Sequence, residues 1–103
     1  MSVAVSTQTQ DNKTVVKVAG EVDVSNAAQL REALDAALLQ DAASLEVNLA
    51  DVPYIDSTGI GVLVGVAHRA QDASKTLAVT NPQRNVARVL DMLGVTEELG
   101  IVS

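Results

Sequence analysis

The chain contains no cysteine, no phenylalanine and no tryptophan, and only one tyrosine and one histidine. Without cysteine there is no disulfide, no thiolate metal site and no thiol catalysis. Without large aromatics the core has to be aliphatic, built from Val, Leu, Ile and Ala. The lone histidine, His68, leaves little from which to assemble a metal cluster, and neither a metal nor a cofactor is expected. Basic residues are also scarce: seven Lys and Arg stand against thirteen Asp and Glu, a formal net charge of −6. Nucleic-acid phosphates are neutralised by Lys and Arg, so an acidic chain without basic and aromatic residues interleaved argues against direct nucleic-acid binding. No apolar run reaches the length of a membrane span, and Met1-Ser2-Val3 has no signal-peptide layout. The expectation is a cytoplasmic protein whose partner is another protein.

What is present fits one domain spanning residues 1–103, with no linker, internal repeat or low-complexity segment. Val3 and Val5 alternate with Ala4 and Ser6, and Gln10-Asp11-Asn12 supplies turn residues before Thr14 to Ala19, which reads as a hairpin. Ala27, Leu30, Leu34, Ala37 and Leu38 form one helical stripe, with Ser25 or Asn26 as cap. Leu45, Val47 and Leu49 alternate with Glu46, Asn48 and Ala50, a strand with one wet face. Ile60, Leu63, Val64 and Ala67 mark a second helix, with Val62 and Val66 making it apolar almost all round. Gly61 and Gly65, on one side of it, are expected to admit a neighbouring element closely. Leu77 and Val79 give a short strand. Asn81-Pro82 then predicts a helix start with Asn as cap. Val86, Val89, Leu90 and Leu93 continue that helix, Gly94-Val95 suits a Schellman stop, and Thr96 to Leu99 make a further turn closed by Gly100.

The order is therefore β-β-α-β-α-β-α. Right-handed strand-helix-strand units make those strands parallel. The wet face of the Leu45–Leu49 strand predicts a mixed β-sheet with helices packed mainly on one face, within the α/β class. In that topology the turns after the second and third strands emerge at the same edge of the sheet, where sites of open α/β folds collect. Asp23 is thereby expected near Ser57, and Asp23 could hydrogen-bond the Ser57 hydroxyl.

The stretch Pro53-Tyr54-Ile55-Asp56-Ser57-Thr58-Gly59-Ile60-Gly61 leads from a strand into a helix, and Ser57 falls at or just before that helix N-terminus. Backbone N–H groups there lack partners and the macrodipole favours negative charge. Two readings fit a hydroxyl in that position: it caps the helix, or it carries a phosphate that the helix end helps to hold. Serine catalysis does not fit. Eleven residues of helix put His68 ~16 Å from Ser57, beyond hydrogen-bond reach. The Gly-x-Ser-x-Gly elbow and the Gly-x-x-x-x-Gly-Lys-[Ser/Thr] phosphate loop are absent too.

Tyr54 through Gly61 resembles the phosphorylation loop of the anti-sigma factor antagonists, small bacterial proteins built on the STAS domain. Upstream, Ala19-Gly20-Glu21-Val22-Asp23 resembles the family's Gly-Glu-[Leu/Ile/Val]-Asp turn. Downstream, Val86 through Val95 resembles its closing helix and glycine stop. The three matches stand in register over nearly the whole chain. The resemblance implies a STAS-like single domain, not an enzyme, with Ser57 as phosphoacceptor and Glu21, Asp23, Asp56, Thr58, Gly59 and Ile60 facing a partner. It implies that the unphosphorylated protein binds an anti-sigma factor that is also a serine kinase, freeing the sigma factor. Phosphorylation would end the binding and a phosphatase would reset it, with the free protein a monomer and no membrane involved. A STAS module in a transport complex is the alternative; such relatives often lack the acceptor serine. One departure is the turn after the second helix, which family members often make through a Gly-rich step. Here it reads Gln71-Asp72-Ala73-Ser74-Lys75, so Asp72 or Ser74 is expected to supply the left-handed residue.

Overall fold

A computed structural model describes residues 3–102; Met1, Ser2 and Ser103 lie outside it, and with them most of the Met1-Ser2-Val3 reading. β1 (Ala4–Gln10) and β2 (Lys13–Ala19) form an antiparallel hairpin. Asp11 (φ 54°) and Asn12 (φ 64°) make its two-residue turn. Two left-handed residues match the twist of the flanking strands, and Asp and Asn are among the side chains that tolerate this conformation. After α1 (Ala27–Leu38) come β3 (Ser44–Asp51), α2 (Ser57–Asp72), β4 (Thr76–Thr80), α3 (Arg84–Met92) and the two-residue β5 (Ile101–Val102). The strands lie in the order β1-β2-β3-β4-β5, and every pair after the first is parallel.

Three successive right-handed crossovers between neighbouring parallel strands carry all three helices to the same face. Burial follows this geometry. Thr14, Val16 and Val18 of β2, Leu45, Val47 and Leu49 of β3, and Val79 of β4 point inward. They meet Leu30 and Leu34 of α1, Ile60, Leu63 and Val66 of α2, and Val86 and Leu90 of α3. The opposite face stays open and polar. On it Glu46 accepts hydrogen bonds from Lys13 Nζ (3.2 Å) and the Thr80 hydroxyl (2.9 Å). The Thr80 hydroxyl first, and Lys13 after it, hold the Glu46 carboxyl below its ordinary range. At the foot of the helical layer Arg69 Nη2 stands 2.7 Å from Asp35, tying α2 to α1. Among the described residues no helix is long and apolar enough to cross a membrane.

Several local expectations change. The third helix starts at Arg84 with Gln83 as N-cap, not at Asn81-Pro82, because Asn81 is left-handed (φ 56°) and Gln83 extended. Its buried stripe is only Val86 and Leu90; Val89, Met92 and Leu93 are exposed. The Schellman stop is present: Val95 N–H donates to Leu90 O, Gly94 N–H donates to Asp91 O, and Gly94 has φ 71°. Beyond it the chain turns at 96–100 and adds β5, an element the sequence reading did not include. Ser74 (φ 59°) is the left-handed residue that ends the α2 turn. Gly61 and Gly65 admit no neighbouring element. A side chain on Gly61 would meet nothing within 4 Å, and one on Gly65 would meet only the Arg69 guanidinium at 3.1 Å.

Candidate functional site

The loops after β2 and β3 are joined by backbone. Gly20 N–H donates to Asp51 O (3.0 Å), Val22 N–H to Tyr54 O (2.9 Å) and Asp56 N–H to Val22 O (3.1 Å). Val22 and Ile55 thus form an isolated parallel bridge that continues the β2–β3 pairing past the strand ends. Both side chains are buried, Val22 completely and Ile55 to 4% exposure. The residues that follow them, Asp23 and Asp56-Ser57, are delivered to one edge of the sheet, as the topology predicts.

Asp56 is the N-cap of α2. It is extended (φ −95°, ψ −179°) and its Oδ1 accepts from Gly59 N–H at 3.0 Å. Ser57 is the first helical residue and is exposed, as is Thr58. The capping alternative for the Ser57 hydroxyl is therefore overturned, because the preceding carboxylate already fills that position. Gly59 and Ile60 are buried. Their part at this edge is to seat the helix start, and they present no side chain to a partner in this conformation.

The Asp23 carboxylate does not reach for Ser57. It accepts from the backbone N–H of Ser25 (2.9 Å) and from the Ser25 hydroxyl. These two bonds, the hydroxyl foremost, hold the Asp23 carboxyl below its ordinary value, so it is a fixed anion at neutral pH. Asn26 is the N-cap of α1 by position, yet its side chain makes no capping bond. It turns back into the loop instead: Nδ2 donates to Glu21 O (2.9 Å) and Oδ1 accepts from Asp23 N–H (3.0 Å). Glu21 itself is exposed.

Three residues that sequence reasoning did not assign to this edge hold it. Asn26, 3% exposed, folds the Glu21–Asp23 turn; its spacing reads as an ordinary cap and gives no sign of this. Gln83 Nε2 donates to Ala50 O (2.9 Å) and Asn85 Nδ2 donates to Pro53 O (2.7 Å), so the start of α3 is pinned to the end of β3 and to the loop that leads on to Ser57. Beside Thr58, an apolar groove of about 240 Å³ opens between α1 and α2, lined by Val24, Ala27, Ala28, Arg31, Thr58 and Val62. Val24 is 74% exposed on its rim and Tyr54 is 49% exposed nearer the strand ends. His68 lies well down α2, exposed, with Nε2 3.5 Å from Glu98.

This edge carries a fixed carboxylate, a capping carboxylate, an exposed hydroxyl and open apolar surface. It offers recognition and a modifiable group.

A family model described as "Mlab, STAS domain" matches residues 5–103. The anti-sigma-B factor antagonist of Bacillus subtilis is 35% identical over 101 residues, covering 98% of this chain and 92% of that protein. An anti-sigma factor antagonist from Mycobacterium paratuberculosis shares the fold with a TM-score of 0.86 at 20% identity, over 96% of this chain and 84% of the other. The Bacillus cell-fate determinant SpoIIAA, solved in its phosphorylated form, has a TM-score of 0.73 at 19% identity, over 97% and 92% of the two chains.

Proposed function

The chain belongs to the STAS domain family, and on that footing we propose that it is an anti-sigma factor antagonist switched by phosphorylation of Ser57. Unphosphorylated, it binds an anti-sigma factor that is also a serine kinase, and the sigma factor is released to direct transcription. The kinase transfers the γ-phosphoryl of its own ATP to Ser57 Oγ, ADP leaves, and the antagonist dissociates. A phosphatase removes the phosphate and restores binding. The chain acts by binding and catalyses no step itself.

The observation that carries this reading is Ser57's freedom. The hydroxyl is exposed at the first position of α2 while Asp56 does the capping, so it can be modified without dismantling the helix start. A phosphoserine adds about −1.5 to −2 charge at neutral pH. That charge would join the Asp56 carboxylate and the fixed Asp23 carboxylate, and repulsion with added bulk would drive the partner off. The α2 N-terminus offsets part of the cost, about 0.3–1 kcal/mol when exposed, so the modified protein stays folded. Val24, Thr58 and the apolar groove beside them supply unmodified surface for the partner to cover.

Incubation with the cognate kinase and ATP, followed by mass spectrometry of peptides, tests this. Phosphate on Ser57, with loss of kinase binding that Ser57→Ala escapes, is the expected result. Phosphate on Thr58 alone, or none, would overturn it; the latter is what a STAS module of a transport complex would give.

A further inference from the structure

The groove beside Thr58 has a single charged residue in its lining, a cation in an acidic setting. Val24, Ala27, Ala28 and Val62 give it apolar walls, and Arg31, exposed on α1, completes the lining with Thr58. The charges carried by the neighbouring loops, on Glu21, Asp23 and Asp56, are all carboxylates, and the chain as a whole carries −6. Even so, Arg31 has no hydrogen-bond or ion-pair partner among the described residues. The carboxylate within its reach by helical spacing is Asp35, four residues on along α1. Arg69 of α2 already holds that group, with Nη2 at 2.7 Å and Nε at 2.8 Å from Oδ1. Lys13 and Lys75, by contrast, are engaged, the first by Glu46 and the second by the carbonyls of Leu38 and Gln40.

Resting on the functional reading above, we infer that Arg31 is the specificity residue of this edge. It receives a carboxylate that the kinase presents beside an apolar side chain seated in the groove. Location selects this occupant. A kinase that transfers phosphate to Ser57 Oγ has to cover Ser57, and Thr58, the next residue, belongs to the groove wall. Closing over Thr58 and Val62 takes Arg31 out of water as well. A guanidinium buried without an anion is costly, because its hydration is lost and nothing replaces it. The kinase therefore closes favourably over the groove only if it brings an acceptor. A carboxylate matches the planar guanidinium fork through two parallel hydrogen bonds. The same partner meets carboxylates at the loops and a cation at the groove. Its own face must then be mixed in sign, basic towards Asp23 and Asp56 and acidic towards α1. That pattern fixes one orientation and rejects a partner whose face is uniformly basic or has the charges reversed.

Calorimetric binding to the cognate kinase without ATP tests this, using Arg31→Met, Arg31→Glu and Ala28→Phe. Arg31→Met keeps an apolar stem and loses the charge. Ala28→Phe fills the groove from an exposed position and leaves Arg31 in place. The expected result is a Kd raised by on the order of thirtyfold in Arg31→Met and further in Arg31→Glu. Ala28→Phe should raise it too, and all three variants should melt with the unsubstituted protein. Changing one Asp or Glu of the kinase to Arg should restore binding to Arg31→Glu and weaken binding to the unsubstituted protein. Unchanged affinity in Arg31→Met and Arg31→Glu, or a loss that no such reversal restores, would overturn the charge pairing. Unchanged affinity in Ala28→Phe would overturn the groove as the seat of the apolar side chain. Either result leaves the switch at Ser57 standing. An unsubstituted protein that neither binds the kinase nor is phosphorylated by it would overturn that reading, and this one with it.

Discussion

Gly59 and Val22 lie so close that no side chain fits between them: a Cβ on Gly59 would stand 2.6 Å from Val22 Cγ1, and 2.8 Å from Ile55 Cγ1. Those two side chains belong to the bridge that joins the loops of the functional edge, and both are held in the core. Neither is the free end of a flexible chain that could swing aside. The first turn of α2 can therefore rest on the bridge only if position 59 is glycine.

Gly59→Ala should accordingly destabilise the protein by about 1–3 kcal/mol through overpacking. Gly61→Ala, where an added methyl meets nothing within 4 Å, should leave stability unchanged or raise it by about 0.5–1 kcal/mol, since alanine has less backbone freedom to lose in a helix. Urea midpoints of the two variants measure the contrast. Equal midpoints would mean that Val22 and Ile55 give way, and that the bridge is looser than its geometry.

Asp56 and Ser57 divide two tasks that the sequence could not separate. Asp56→Ala removes the acceptor for Gly59 N–H and should cost about 0.5–2 kcal/mol, the usual range for a lost N-cap. Ser57→Ala removes no cap and should shift the melting temperature little while abolishing phosphorylation. Thermal melts and phosphorylation assays on both variants check this division. A Ser57→Ala melt as depressed as that of Asp56→Ala would show that the hydroxyl supports the helix after all.

Much of the fold was legible because its periodicities are clean. Alternation in Leu45, Val47 and Leu49 fixed one buried face, and crossover handedness then brought Asp23 and Ser57 to one edge. The errors came where local signals were ambiguous between neighbours or depended on distant chain. Ser, Asp and Asn are all good caps, so Asp56 could not be told from Ser57, nor Asn26's inward turn from an ordinary cap. A glycine reads the same whether it is packed, as Gly59 is, or open, as Gly61 is. Val89 and Leu93 fit the apolar stripe of α3 but look outward, because that short helix buries only Val86 and Leu90. The contacts of Gln83 and Asn85 with Ala50 and Pro53 span more than thirty residues of chain, and neither periodicity nor spacing reports them.

Asp23 should titrate below an ordinary aspartate because the Ser25 hydroxyl, and then the Ser25 N–H, donate to its charged form. The sign follows from linkage. A folded-state pKa lowered from the ordinary 3.8 adds stability that is present above pH 3.8 and is lost as pH falls through the lower folded value. Ser25→Ala should move the Asp23 midpoint, followed by carboxyl carbon NMR shifts, up towards 3.8. An unmoved midpoint would remove the hydroxyl as its cause. Asp23→Asn should weaken kinase binding more than it lowers the melting temperature, since the carboxylate's bonds lie within its own exposed turn. A loss confined to stability would count against a part for Asp23 in recognition.

Gln83 and Asn85 should act together as anchors of the edge. Their amide groups donate to Ala50 O and Pro53 O, tying the start of α3 to the end of β3 and to the loop that runs into Asp56-Ser57. Each bond is solvent-exposed, so the individual losses in Gln83→Ala and Asn85→Ala should be small, about 0.5–1.5 kcal/mol. The informative effect is local. With both amides gone, the Asp51–Ile55 segment keeps the bonds of Gly20 and Val22 on one flank but has lost its tie to α3 on the other. Amide exchange at Val52 and Asp56, whose N–H groups donate to Leu49 O and Val22 O, should therefore quicken in the double variant by more than the fall in global stability accounts for. Exchange at Leu45 and Val47, deep in β3, should track global stability alone. Because the Val22–Ile55 bridge sets where Asp23 lies relative to Ser57, a looser loop should also slow phosphorylation of Ser57 without altering its site. Uniform exchange across β3 and its following loop, with an unchanged phosphorylation rate, would mean that the bridge positions Ser57 without help from α3.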